Sequence, residues 1–389
     1  MAREFENVID YVRAQHDTFE ERGVCRPDSL VFATLSYLRL PEDATDAYGL
    51  AGLCLGDLYR PDWIEPMCGP LFATDSFIEL LEAVATSPRF SGVRVSGYVS
   101  HTDASAEEQF SAMTFHLSPR ATYVAFRGTD NTLVGWREDF NMAFVATIPA
   151  QRSATLYVEG VAARTKGRLW LGGHSKGGNL AVFAGMNCAD ATFERVVSCF
   201  SHDGPGFSDA CRARGHWEQR SKVVDKTIPQ SSVIGMVFER QEWGFRVVRS
   251  HAVGFAQHDP FSWEIVGCDF AYERRLDFGA SYFDSSLNDW LQTSDPSERE
   301  RLIDVVFMVL RATGETTFAG IKRNWKWAVP RVLLVAATLD PEDRQFVQQA
   351  VTDIWHAVVP DLPLGELGAL VGNGAAGIKA LLTRGEDKG

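Results

Sequence analysis

Ser175 stands in the run Gly173-His174-Ser175-Lys176-Gly177, a G-x-S-x-G spacing. A serine hydroxyl is a weak nucleophile in water. Chemistry there needs a tight turn to present it, a base to take its proton and donors to hold an oxyanion. Glycines two places either side permit the strained turn and close helix packing of such a nucleophile elbow. The bare pattern is weak, and its context carries the inference. Ahead of it, Leu169-Trp170-Leu171 reads as a parallel strand buried on both faces. After it, Lys176 to Cys188 places Leu180, Val182, Phe183 and Met186 among alanines and glycines, the composition of a buried helix. The plain alternative is a glycine-rich strand-to-helix turn with an incidental serine.

Sites in open α/β sheets gather at the carboxyl ends of the strands, so the partners of Ser175 should follow later strands. Asp203 ends the strand Val196-Ser201 and opens the turn Asp203-Gly204-Pro205-Gly206-Phe207. His258 follows the strand Gly244-Ser250. In a catalytic reading His258 is the base and Asp203 the acid that orients it. His251 also lies at a strand end and rivals His258, while Asp225 rivals Asp203. A plain turn role, capping Gly204 or Phe207, is the other reading of Asp203. His174 is too close in the chain to reach Ser175 Oγ and is read as packing; His202 is expected to face away from Asp203. Asp259 adjoins the proposed base and ranks low, since adjacent residues rarely aim at each other. The Lys176 backbone N–H, at the start of the following helix, is one candidate oxyanion donor. The other is Thr129, in the loop after Ala121-Phe126, through its N–H and hydroxyl; an ordinary helix cap is its plain alternative.

These residues require elements to carry them. Residues 1–90 look mainly helical, with an apolar stripe from Leu30 to Leu40 after a cap at Asp28 or Ser29. Val93-Val99 and Phe110-His116 alternate with period two and predict an antiparallel pair, followed by a third strand at Ala121-Phe126. The pattern then predicts a helix near 150–166, strand 168–172, helix 176–188 and strands at 195–201, 222–228 and 244–250. That order implies an α/β fold with a largely parallel sheet and helices on both faces. Ser294-Asp295-Pro296 reads as a helix start, with further helices from Trp325 or Trp327 and Pro330 and from Arg344 to Val358. The tail from Gly372 reads as loosely ordered. Three segments are expected: a helical segment at 1–90 packed on the core, a catalytic core at 91–285 and a helical extension at 286–389.

The 389 residues, 45% hydrophobic and 23% charged, can bury a large core without a metal or disulfide staple. A net charge of −13 argues against nucleic acid or an anionic membrane as the main partner. No transmembrane span is expected, and the start lacks the apolar core of a signal peptide. Seven cysteines without a C-x-x-C pair fit reduced thiols in a cytoplasmic protein. The nine histidines show no metal-ligand spacing, and no cofactor is expected.

Val124-Ala125-Phe126-Arg127-Gly128-Thr129, Trp136-Arg137-Glu138-Asp139 and Gly173-His174-Ser175-Lys176-Gly177-Gly178 together resemble class-three lipases of the α/β-hydrolase superfamily. More closely, the chain resembles a bacterial lipase-like branch that shares Asp203-Gly204-Pro205-Gly206-Phe207 and Gln257-His258-Asp259-Pro260. The order Ser175, Asp203, His258 is the α/β-hydrolase order. The resemblance covers roughly residues 25–265. It implies a serine hydrolase acting on an ester of an apolar acyl chain, with Thr129 matching the oxyanion residue after Arg-Gly. It also implies a lid helix at 131–139, where Leu133, Val134 and Trp136 would receive a lipid tail or pack in a core. The chain departs from the lipase pattern at Lys226-Thr227-Ile228-Pro229: Asp225 lies one residue out of register with the Asp-x-x-Pro acid, which favours Asp203.

Two functions follow. One is an esterase or lysophospholipase-like hydrolase working through an acyl-enzyme on Ser175, or transferring the acyl group to an alcohol. The other is a non-catalytic α/β-hydrolase scaffold that binds an apolar ligand or a protein partner.

Overall fold

The computed structural model describes residues 4–5, 7–41, 52–69, 71, 73–130, 132–142, 145–213, 215–238, 244–276 and 295–315, with 324, 331, 335, 338 and 339. Two compact units divide the chain: Met1–Asp130 with Val145–Thr293, and Asn131–Phe144 with Ser294–Gly389.

The first unit opens with β1 (Glu4–Phe5), α1 (Val8–Ala14), α2 (Arg26–Leu35), α3 (Pro61–Cys68) and α4 (Thr74–Thr86). Its strands follow: β2 (Arg94–Asp103), β3 (Glu108–Ser118) and β4 (Ala121–Phe126). Past α5 (Leu133–Asn141) of the second unit, the chain forms α6 (Pro149–Arg164), β5 (Arg168–His174), α7 (Lys176–Asn187), β6 (Val196–His202), β7 (Val224–Pro229) and β8 (Arg246–Val248). Short strands β9 (Ile265–Val266), β10 (Asp269–Phe270) and β11 (Tyr272–Glu273) close this unit.

Eight strands form one sheet in the order β11-β8-β7-β6-β5-β4-β3-β2, while β1, β9 and β10 make a small antiparallel sheet. Strands β4 to β8 run parallel, β2 and β3 pair antiparallel as the alternation predicts, and β3 also pairs antiparallel with β4. The architecture is α/β, as expected. Central β4 is buried throughout and β5 at all but its first residue, because helices cover both faces. Trp170 and Phe200 join the apolar cluster that holds Leu30 and Phe32 of α2. Their neighbours Leu171 and Cys199 face α7, where Gly185 leaves them room.

Register aligns the carboxyl ends. Phe126 pairs with Gly173, His174 with His202, and His202 with Thr227. The next residues, Arg127-Gly128-Thr129, Ser175 and Asp203, therefore emerge along one edge of the sheet.

The N-terminal helices differ from expectation in their boundaries. Helix α2 begins at Arg26 with Pro27 in its first turn, one turn ahead of the expected cap, and ends at Leu35. Asp28 is buried inside that turn, where it accepts from Cys25 N at 2.9 Å, Tyr11 Oη at 2.8 Å and Arg89 Nε and Nη2 at 2.8 and 2.7 Å. A buried carboxylate needs such partners, and they draw the helix start forward.

In the second unit, Asp295 caps α8 (Pro296–Arg311) by accepting from Ser297 N at 2.8 Å, so this helix starts where its sequence predicts. Helix α5, capped by Thr132, pairs Arg137 with Asp304, and the Phe140 and Phe307 rings meet edge-on at 5.8 Å. The helix expected from Trp325 or Trp327 is described only at residues 331, 335, 338 and 339, and the helix expected from Arg344 and the tail from Gly372 lie outside the described residues.

Candidate active site

Ser175 links β5 to α7 with φ 57° and ψ −135°, a conformation that L-residues rarely adopt and that costs on the order of 1–3 kcal/mol. Surrounding contacts enforce it: Ser175 N donates to His202 O, and Gly178 N to Ser175 O, both at 2.9 Å. Glycine is required on both sides of the turn. A Cβ at Gly173 would lie 2.3 Å from Gly177 C, and one at Gly177 would lie 2.1 Å from Phe126 O. The Ser175 side chain accepts no hydrogen bond from the helix that it begins, so its hydroxyl is not spent as a cap.

Asp203 is the corresponding residue one strand over. It is fully buried, has φ 52°, and its N–H donates to Thr227 O at 2.7 Å. Its carboxylate divides two ways. Oδ2 lies 2.6 Å from His258 Nδ1, and Oδ1 accepts from Ser232 Oγ at 2.5 Å. Gly235 makes room for this, because a Cβ there would sit 2.3 Å from Asp203 Oδ1. The buried Lys226 ammonium donates to Gly235 O at 2.6 Å and holds that loop in place. Asn179 of α7 donates to Pro205 O and Gly206 O at 3.2 and 2.9 Å, which pins the turn after Asp203.

His258 ends a short helical turn, Gly254–His258. The preceding Gln257 ties that turn to the loop carrying Ser232: Ser231 N donates to Gln257 Oε1 at 2.7 Å, and Trp263 Nε1 donates to Gln257 O at 2.8 Å. An ionised Asp203 can only accept, so Nδ1 of His258 carries a proton, and a neutral ring then has its lone pair on Nε2. That tautomer can take a proton from a hydroxyl.

His174 does more than pack. Burial, and then the neighbouring His258, hold its pKa well below the ordinary value. The neutral ring donates Nε2–H to His258 O at 2.8 Å, which leaves Nδ1 to accept from Tyr37 Oη at 3.1 Å. The His174 and His258 rings lie 4.6 Å apart, so the residue before Ser175 supports the residue paired with Asp203. His202 faces away from Asp203, as expected; its Nε2 meets Ser29 Oγ at 2.8 Å. Burial lowers its pKa to about 3.

The rivals stand elsewhere. Asp225, near the start of β7, is held by Arg26 Nε at 2.8 Å and Arg246 Nη1 at 3.0 Å. His251 is exposed, and Asp259 caps the next turn by accepting from Phe261 N at 3.0 Å. Lys176 is the first residue of α7, and its buried ammonium donates to Gln109 O at 3.0 Å, which anchors the helix start. Gly128 brings the chain carrying Thr129 alongside the elbow: a Cβ on Gly128 would lie 3.1 Å from Ser175 Cβ and 2.7 Å from His174 O.

The sequence does not single out Ser232, Gly235 or Tyr37, and it shows Gln257 only as part of the Gln257-His258-Asp259-Pro260 segment. They have no spacing relative to Ser175 that marks them; only loop closure joins them. A separate cavity of about 380 Å³ lies at the opposite, amino ends of β4 and β5, lined by Arg120, Arg168 and Trp170 among others. Among the described residues no group of His, Cys, Asp and Glu is arranged to hold a metal ion, and no helix is long and apolar enough to cross a membrane.

Comparison with curated proteins finds no match. A family model described as Mbeg1-like matches residues 84–308, more than half of the chain, and this span includes the elbow, Asp203, Ser232 and His258. The chain therefore belongs to the Mbeg1-like family, a lipase-like family.

Proposed function

We propose that the protein is a serine hydrolase of the α/β-hydrolase superfamily, esterase or lysophospholipase-like, that cleaves an apolar acyl ester through an acyl-enzyme on Ser175. The observation that carries the reading is the buried Asp203 holding His258 Nδ1 at 2.6 Å, beside a serine strained on a glycine-flanked turn. In this mechanism His258 Nε2 takes the Ser175 proton as Oγ attacks the acyl carbon. Asp203 stabilises the imidazolium, and the N–H groups of Lys176 and Thr129 receive the oxyanion. The alcohol leaves with the proton from His258, and water then repeats the sequence to free the acid. Residues 91–285 are the proposed catalytic core, between helical segments at 1–90 and 286–389. The acidic surface and free thiols favour a cytoplasmic enzyme with a lipid-like small-molecule substrate.

One observation favours the second reading, a non-catalytic scaffold that binds an apolar ligand or a partner. No hydrogen bond joins Ser175 Oγ to His258 among the contacts of the described residues. Catalytic hydrogen bonds often tighten only around substrate, so we retain the hydrolase. A fluorophosphonate probe distinguishes the two. It should label the folded protein and not Ser175→Ala; failure to label the wild type would overturn the hydrolase reading.

A further inference from the structure

Cys25 and Cys268 are far apart in the sequence, yet the fold sets them side by side. Cys25 immediately precedes α2, and Cys268 occupies the turn between β9 and β10, after Gly267 at φ 65°. The residues that follow them form an ion pair, Arg26 Nη1 to Asp269 Oδ2 at 2.9 Å, which clamps the turn to the helix start. The two thiols lie close enough for each to shift the ionisation of the other. Cys25 is half-buried, with Tyr11 Oη and Arg22 Nη1 each 3.2 Å from its sulfur, whereas Cys268 is exposed. Asp28, Arg89 and Arg22 also act on the pair.

We propose that Cys25 and Cys268 form a reversible thiol switch, with Cys268 as the peroxide-reactive thiolate and Cys25 as the resolving thiol. The reaction balances in two steps. The Cys268 thiolate attacks one oxygen of hydrogen peroxide; the O–O bond breaks, hydroxide leaves, and Cys268 becomes a sulfenic acid. Cys25 sulfur then attacks Cys268 sulfur; the S–O bond breaks, the hydroxyl leaves as water with the Cys25 proton, and a disulfide forms. Peroxide has gained the two electrons that the sulfurs lost.

The environment divides these roles. The neighbouring Cys25 thiol lowers the Cys268 pKa to about 6, with further help from Arg22 and Arg89, which favours the thiolate at the exposed sulfur. Burial raises the pKa of Cys25 and keeps its proton on until the second step. Exposure admits peroxide to one sulfur while the helix holds the other within reach. This site is independent of Ser175 and of the reaction proposed there.

Hydrogen peroxide applied to the full chain tests the proposal. Thiol titration after denaturation should fall from seven to five, and a non-reducing peptide map should show Cys25 linked to Cys268. Dithiothreitol should restore all seven. Cys268→Ser, at an exposed position, should keep its remaining thiols at the same peroxide dose. Cys25→Ser should stop at a sulfenic acid on Cys268 that dimedone traps. Retention of seven thiols by the wild type, or equal thiol loss in Cys268→Ser, would overturn the switch.

Discussion

Asp203 Oδ2 and His258 Nδ1 stand 2.6 Å apart across 55 residues of chain, while Asp225, the other acid in reach of sequence reasoning, is held by Arg26 and Arg246. The contrast is one of strand polarity. Asp203 follows the carboxyl end of β6, whereas Asp225 lies near the amino end of β7.

Asp203→Asn should therefore slow fluorophosphonate labelling on the order of a thousandfold or more, since the amide no longer holds the required tautomer of His258. Asp225→Asn should leave labelling within about threefold and lower thermal stability instead. Labelling rates and melting curves of both variants check this; the reverse order of effects would transfer the acid role to Asp225.

Ser232 Oγ donates to the carboxylate oxygen that His258 does not use. Loss of a hydrogen bond to a charged group is worth about 1.5–3 kcal/mol, so Ser232→Ala should cost roughly 10- to 100-fold in kcat. KM should change little, and Ser232→Thr should recover most of the rate. An Ala variant with unchanged kcat would limit Ser232 to loop packing.

Two glycines test the space around the site. Gly128→Ala brings a methyl group 2.1 Å from Tyr37 Oη, and Gly235→Ala brings one 2.3 Å from Asp203 Oδ1. Each variant should remain folded by circular dichroism, lose several degrees of melting temperature and label at least tenfold more slowly. Wild-type labelling in Gly235→Ala would show that the carboxylate has freedom the packing denies it.

Acid should destabilise the protein through its buried histidines. The folded pKa of His202, about 3, lies below the ordinary 6.5 because burial disfavours the cation. The unfolded chain thus binds a proton there that the native state refuses. The stability is fully present above about pH 6.5 and is lost as pH falls toward about 3, at up to roughly 1.4 kcal/mol per pH unit for each such group. His174 shifts in the same direction. Urea midpoints between pH 4 and 8 measure the slope, and the His202 ring resonance should stay neutral down to pH 4; titration near 6.5 would contradict this.

Several elements were legible in advance because their signals are local. Alternation over β2 and β3, apolar runs in β4 and β5, and the Asp295-Pro296 start of α8 each depend on residues within one segment. The start of α2 was not legible, since Arg89, far along the chain, decides where Asp28 sits. The cap residues in that segment are equally plausible by local rules.

The sequence by itself determined the order of the α/β elements, the glycine-flanked turn at Ser175 and the short set of acids and bases that follow strands. Period, turn chemistry and strand polarity are written within a few residues of one another. Only tertiary structure decided that His258 meets Asp203, that Ser232 takes the remaining oxygen and that His174 donates to the His258 carbonyl. Those choices depend on strand register and loop closure across long stretches of chain, where a shift of a few ångströms separates a hydrogen bond from none.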